Sequence, residues 1–184
     1  TYHCFKDITA IVKTAGLNAR WTVANVIGET NQNNKFAGWN MIVVYKNDLQ
    51  NMRQLTVFNG LAVVNTATVD IPVSGFLTPP TGPVTFEMGL YCYDGDRSTT
   101  GDALSFSGTG PFVAVSDAIN AANNAFNSTI GRNGVLTSFR KPNYSNNFSI
   151  DADIFIPDNS AKNYIGNSAT SCVLRQTTSG DVYL

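Results

Sequence analysis

Hydrophobic and polar residues alternate with a period of two along much of this chain. The alternation is sharpest at Phe148-Ser-Ile-Asp-Ala-Asp-Ile-Phe-Ile156. On an extended backbone Phe148, Ile150, Ala152, Ile154 and Ile156 share one face, and Ser149, Asp151, Asp153 and Phe155 share the other. The aliphatic set predicts the buried face, which leaves Asp151 and Asp153 toward solvent. Similar runs predict strands at 21–27, 39–45, 55–58, 61–64, 66–73, 84–93, 103–106, 112–115, 148–156 and 171–177. Turn-forming clusters separate them: Asn31-Gln-Asn-Asn34, Thr78-Pro-Pro-Thr-Gly-Pro83, Gly108-Thr-Gly-Pro111 and the asparagine-rich stretch 143–147. One short helix is predicted near the start. Asp7 is its N-cap, Ile8, Ile11 and Val12 form its apolar stripe, and Gly16 follows as the C′ residue. Residues 116–126 suit either a helical turn or an irregular loop. Many short strands with little helix predict an all-β fold, an antiparallel β-sandwich or jelly roll with one short N-terminal helix. No internal repeat or long linker divides the chain, so residues 1–184 are expected to form a single domain.

Composition narrows the setting. Only 14% of the residues are charged, where a globular domain usually carries about 25%. Asn, Thr and Ser supply the polarity instead, which predicts a neutral, amide- and hydroxyl-rich surface. That surface suits a secreted or cell-surface β-protein. The formal net charge of −1 offers no basic field for nucleic acid or anionic lipid. No apolar run approaches the roughly 20 residues of a membrane span, so no membrane insertion is expected. The chain opens at Thr1 without an initiator Met, which is read as a segment trimmed or excised from a longer product.

Candidate chemistry is sparse. Cys92 is in phase with Val84, Phe86, Met88 and Leu90, and Cys172 with Leu174. Both therefore face inward, either as small buried core residues or as a Cys92–Cys172 disulfide between neighbouring strands. Cys4 would be left over. His3 is the one histidine, and it lies at the start of the chain, a poor place for a nucleophile relay. The densest acidic cluster holds Asp94, Asp96 and Asp102, with Gly95 and Gly101 to bend the loop. Several oxygens from one flexible loop suit Ca²⁺. The spacing opens like an EF-hand and then departs from it, with Thr99 at the sixth position and Ser105 at the twelfth. The other reading of this loop is Asx-turn chemistry with an Asp–Arg97 pair. Asp151 and Asp153, roughly 7 Å apart along one strand face, and the aromatic Tyr91 and Tyr93 form a candidate ligand surface for a glycan. The two carboxylates lack the flanking cleft that glycoside hydrolysis needs. Neither GxGxxG nor GxxxxGK[ST] occurs. Glycosylation sequons stand at Asn127, Asn143 and Asn147.

Specific strings carry a family resemblance. Tyr2-His-Cys-Phe-Lys-Asp-Ile-Thr-Ala-Ile-Val12 resembles the Y-x-x-F-x-D-V-T-x-x-V opening of a β-sandwich domain found in large, repetitive, adhesin-like bacterial surface proteins. The resemblance continues through Trp21-Thr-Val-Ala-Asn-Val26, Phe36-Ala-Gly-Trp-Asn-Met-Ile-Val-Val-Tyr45 and Leu55-Thr-Val-Phe-Asn-Gly60. It also includes Gly75-Phe-x-Thr-Pro-Pro80, Gly101-Asp-x-Leu104, Asn124-x-Phe-Asn-Ser-Thr-Ile130 and Phe148-x-x-Asp-Ala-Asp153, so it spans nearly the whole chain. It implies a structural or adhesive module of the cell exterior, with no family active site to carry over. The cysteines depart from the family pattern. The family domain also carries further strand sequence ahead of the Tyr2 motif.

These readings converge on an extracellular structural or adhesive module rather than an enzyme. Self-association with other copies is the expected partnership, by strand exchange into a filament. The missing upstream strand and a free strand at 181–184 would serve that exchange. The alternative is a carbohydrate-binding, lectin-like module, with Ca²⁺ as its possible cofactor.

Overall fold

The computed structural model describes residues 2–16, 18–32 and 35–184. Asn33 and Asn34 of the first predicted turn lie outside these residues. Contacts gather the chain into two compact units, 1–61 and 62–184.

The first unit holds one helix, α1 (Thr9–Ala15), of seven residues. Asp7 does not take the N-cap position, which Ile8 occupies, but its Oδ1 accepts the Thr9 N–H at 2.8 Å. At the other end Gly16, at φ 76°, donates its N–H to the Val12 carbonyl at 2.9 Å. The strands predicted at 21–27, 39–45 and 55–58 do not form: among the described residues of 2–61 none is in a strand and none is buried. A strand exists only with a neighbour to take its N–H and C=O groups, and alternation alone supplies none. Val23, Trp39, Ile42, Val44, Tyr45, Leu55, Phe58 and Leu61 are consequently exposed.

The second unit is an all-β sandwich. Its strands are β1 (Val64–Asn65), β2 (Val69–Ser74), β3 (Met88–Tyr93), β4 (Ala103–Ser107), β5 (Val113–Val115), β6 (Ile130–Arg132), β7 (Val135–Leu136), β8 (Ile150–Phe155), β9 (Ser171–Thr177) and β10 (Val182–Tyr183). One four-stranded sheet has the order β2-β9-β4-β5, the other β3-β8-β6-β7, and β1 pairs with β10. All pairings are antiparallel except β6 with β8. The predicted strand at 61–64 is reduced to its last residue, where β1 begins. The segment 116–126 is an irregular loop rather than a helix, held by Asp117, whose Oδ1 accepts the Ile119 and Asn120 amides at 3.0 and 2.9 Å.

The two inner faces differ in kind. In the first sheet, register stacks Val73 beside Cys172, Ile71 beside Leu174 and Phe106, and Leu104 beside Val115. That face is apolar except for Gln176. In the second sheet Met88 pairs with Phe155, but Leu90 faces Asp153 and Cys92 faces Asp151. Phe86 bridges toward the first sheet, its ring 4.9 Å from that of Phe106.

Here the predicted phase of 148–156 is inverted. Asp151, Asp153 and Phe155 point inward at 1%, 3% and 1% exposure, while Ile150, Ala152 and Ile154 are only half-buried. Alternation defines two faces and leaves open which one is buried. Phe155 and the amides that receive the carboxylates decide it. Phe148 and Ser149, at φ 55° and 66°, stop the strand short of its predicted start. Truncating the inward ring should therefore dominate. Phe155→Ala is expected to cost about 3–5 kcal/mol as a core cavity, and Ile154→Ala distinctly less. Urea denaturation of both variants checks the order, and the reverse order would restore the original phase.

Candidate functional site: a carboxylate-lined end of the core

The polar end of the sandwich is built from β8, the loop 94–102, the loop 116–129 and the turn 178–181. Its carboxylates sit on backbone amides. Asp151 Oδ1 accepts the Thr129 N–H at 2.9 Å. Burial pushes this carboxyl up to about 7, against the opposing pull of the Thr129, Ser128 and Asn127 amides. Asp153 is pushed up to about 6, again by burial, while the Asn120 and Thr129 side chains pull it down. The Thr129 hydroxyl donates to Asn120 Oδ1 at 2.8 Å and lies 3.2 Å from Asp153 Oδ2. Asp102 is fully buried. Its Oδ2 accepts the Phe126 N–H at 2.7 Å, and burial raises its carboxyl. Asp181 Oδ1 accepts the Val182 N–H at 2.8 Å. Burial pushes Asp181 up to about 6, and the like charges of Asp96, Asp102 and Asp94 add to the shift.

The loops pack closely enough to constrain their glycines. A Cβ on Gly95 would stand 2.1 Å from Asp151 Oδ2 and 2.7 Å from the Phe126 carbonyl oxygen. Ser128 locks the same place, its hydroxyl donating to the Gly95 carbonyl at 2.6 Å and accepting the Ser149 N–H at 2.9 Å. Among the described ion pairs none involves Asp102, Asp151, Asp153 or Asp181.

Several predicted site residues are placed differently. Asp94, Asp96 and Asp102 do not form a metal site between them: among the described residues no group of three or more His, Cys, Asp or Glu stands ready to hold an ion. The reason is direction. Asp102 turns into the core onto Phe126, whereas Asp96 remains in the loop and accepts from the Thr99 hydroxyl at 3.3 Å. The ligand surface is divided as well. Asp151 and Asp153 are inside, whereas Tyr91 and Tyr93 pair with Ala152 and Ile150 on the opposite face, their rings edge to face at 5.0 Å. The disulfide is absent. Cys92 and Cys172 are buried free thiols on different sheets. Burial raises both thiols, Cys172 to about 11, so they behave as core residues. Cys4 is free and exposed. Two sequons are spent on structure: Asn127 Nδ2 donates to the Ile119 carbonyl at 2.7 Å and Asn147 Nδ2 to the Ser128 carbonyl at 2.8 Å.

Asp181, Asn120, Asn124, Ser128 and Thr129 were not anticipated as site residues. A signal existed, since Gly95-Asp96, Gly101-Asp102 and Gly180-Asp181 repeat one turn-forming pair, and all three meet at this end. Comparison with family models, with curated proteins and with solved structures found no match to this chain.

Two expectations follow from the geometry. Asp151 and Asp153 bind protons more readily folded than unfolded, so their contribution to stability is full below about pH 4 and is lost as pH rises through about 6 to 7. In metal-free buffer the melting temperature should be higher at pH 5 than at pH 8, and Asp153→Asn should flatten that slope. Thermal melts across this range check both, and a slope of opposite sign would refute the assignment. Gly95→Ala should destabilise by about 1–3 kcal/mol through overpacking against Asp151 and Phe126, measurable by urea denaturation.

Proposed function

We propose that this chain is an extracellular structural or adhesive module of a surface protein, and that copies of it associate by strand addition. One observation carries the reading. The first 61 residues hold strand-like alternation whose apolar residues are exposed and whose backbone forms no sheet among the described residues. Such a segment gains both apolar burial and main-chain hydrogen bonds by adding to a sheet edge. The sandwich offers such an edge. β3 (Met88–Tyr93) is an outer strand with no lysine or proline to blunt it, and its edge is open along Met88-Gly-Leu-Tyr91, Tyr93 being already paired with Leu184. The other outer strands are less receptive: β5 and β7 are short, and β2 carries Pro72.

The C-terminal strand is not a donor. β10 pairs with β1, and Leu184 exchanges both backbone hydrogen bonds with Tyr93 at 3.0 Å. The occupant of the β3 edge is therefore the stretch around Trp39-Asn-Met-Ile-Val-Val-Tyr45 of a second copy. A head-to-tail contact of this kind does not close on itself and generates a filament. The low charge and the resemblance to adhesin-like surface domains support an extracellular setting for it.

Sedimentation velocity over a concentration series tests the proposal. The wild-type chain should form multimers as concentration rises. Ile42→Asp combined with Val44→Asp should leave monomers while changing the melting of the sandwich little, because both positions are exposed. A wild-type chain that stays monomeric at every concentration would sink the proposal.

A further inference from the structure

At the buried polar end of the sandwich, unpaired acceptors outnumber unpaired donors, of which Asn120 Nδ2 is one. Among its buried side-chain atoms without a hydrogen-bond partner are Asp102 Oδ1, Asp181 Oδ2 and Asn124 Oδ1. All three are oxygens that can only accept. Their residues are at least nine-tenths buried, at 0%, 7% and 9% exposure. Ordinary backbone hydrogen bonds bring the segments that carry them side by side. The Gly101 N–H donates to the Asn123 carbonyl at 2.7 Å and the Ala125 N–H to the Asp102 carbonyl at 3.3 Å, which lays 123–125 along 101–102. On the other side the Ser179 N–H donates to the Gly101 carbonyl at 3.1 Å, and the Ser179 hydroxyl occupies the space that a Gly101 Cβ would need. The second atom of each group is already committed: Asp102 Oδ2 to the Phe126 amide, Asp181 Oδ1 to the Val182 amide, and Asn124 Nδ2 to the Arg97 carbonyl. The remaining oxygens belong to residues of three loops that these bonds tie together.

We propose that this junction is a binding site for a hard divalent cation of the Ca²⁺ type, held by Asp102 and Asp181 together with the Asn124 amide oxygen and main-chain carbonyls. Leaving buried acceptors unpaired is costly, and leaving buried carboxylates without a counter-charge more so. Two carboxylates balance a divalent charge. The mixed set agrees with the absence of a three-carboxylate group among the described residues. Ca²⁺ accepts six to eight oxygens in irregular arrangements and takes amide and backbone carbonyls readily, whereas Mg²⁺ demands a regular octahedron. The site differs from an acidic-loop site of Asp94, Asp96 and Asp102, because Asp94 and Asp96 serve only as nearby negative charge. Tyr183 is buried beside it, its phenol raised by burial first and then by the charge of Asp102.

The test uses the whole chain, dialysed against chelator at pH 7.5. Ca²⁺ at a hundredfold excess over its Kd should raise the melting temperature by roughly 5–10 °C. Tb³⁺ should bind at the same place and emit on tyrosine excitation, and Ca²⁺ should displace it. Asp181→Asn and Asp102→Asn should each lose the shift and the emission, while Asp153→Asn, buried on β8 against Asn120 and Thr129 and outside the proposed ligand set, should keep both. Absence of shift and emission in the wild-type chain overturns the proposal without any variant, and leaves shared protons as the answer to the unpaired carboxylates. Retention of both signals in Asp181→Asn and Asp102→Asn, or their loss in Asp153→Asn, overturns the placement.

Discussion

The constraint on which the sandwich depends is the burial of carboxylates on the inner face of β8. A strand that turns Asp151 and Asp153 inward needs something to meet them, because an unpaired buried polar group costs on the order of 1–3 kcal/mol and a buried charge more. The loop 116–129 meets that need. Its irregular backbone points the amides of 127–129 at Asp151 and the Asn120 and Thr129 side chains at Asp153. A regular helix in the same place would have used those amides internally. The loop is irregular because its hydrogen bonds go to the core.

The same logic explains the crowding at this end. Gly95 and Gly101 carry no side chain because Asp151 and Ser179 occupy the space. Ser128 ties the Gly95 carbonyl, the Ser149 amide and the start of β8 into one network. At the opposite end a purely amide-based device does similar work. Asn159 donates to the Val84 and Ile165 carbonyls at 2.8 and 2.9 Å and accepts the Tyr164 amide at 3.1 Å, closing a loop over the aromatic cluster of Phe86, Phe106 and Tyr164. One end is thus closed by a buried amide and the other by buried carboxylates.

Five strands of the second unit were legible because their apolar alternation is complete: 66–73, 84–93, 103–106, 112–115 and 171–177 each overlap a strand, whereas the short β6 and β7 fall in no predicted run. The phase of 148–156 was not legible, because Phe155 and the isoleucines compete for the core from opposite faces. What decides between them, the amides of a loop about 25 residues upstream, is a tertiary fact. The inward direction of Cys92 and Cys172 could be read from phase, but not their separation onto two sheets. The acidic loop could be read as chemically dense. The contributions of Asn124 and Asp181 depend on loops that meet only in three dimensions. The strand pattern of 21–58 was legible as pattern and produced no strand, since pairing is a property of two segments and not of one.

The pairing of β1 with β10 has a mechanical consequence. Val64 lies opposite Tyr183 in antiparallel register, so the chain enters and leaves the sandwich at the same end of one short ladder. Tension applied through these two points loads the hydrogen bonds one after another, as a zipper opens, instead of all at once in shear. The first resistance of the unit to stretching then rests on a few bonds at β1–β10, on the two that join Tyr93 to Leu184, and on extracting the Tyr183 ring from beside Phe126, 4.8 Å away. Once that ring leaves, the carboxylate-lined end is open to water, and the unit's mechanical and electrostatic integrity fail at the same point.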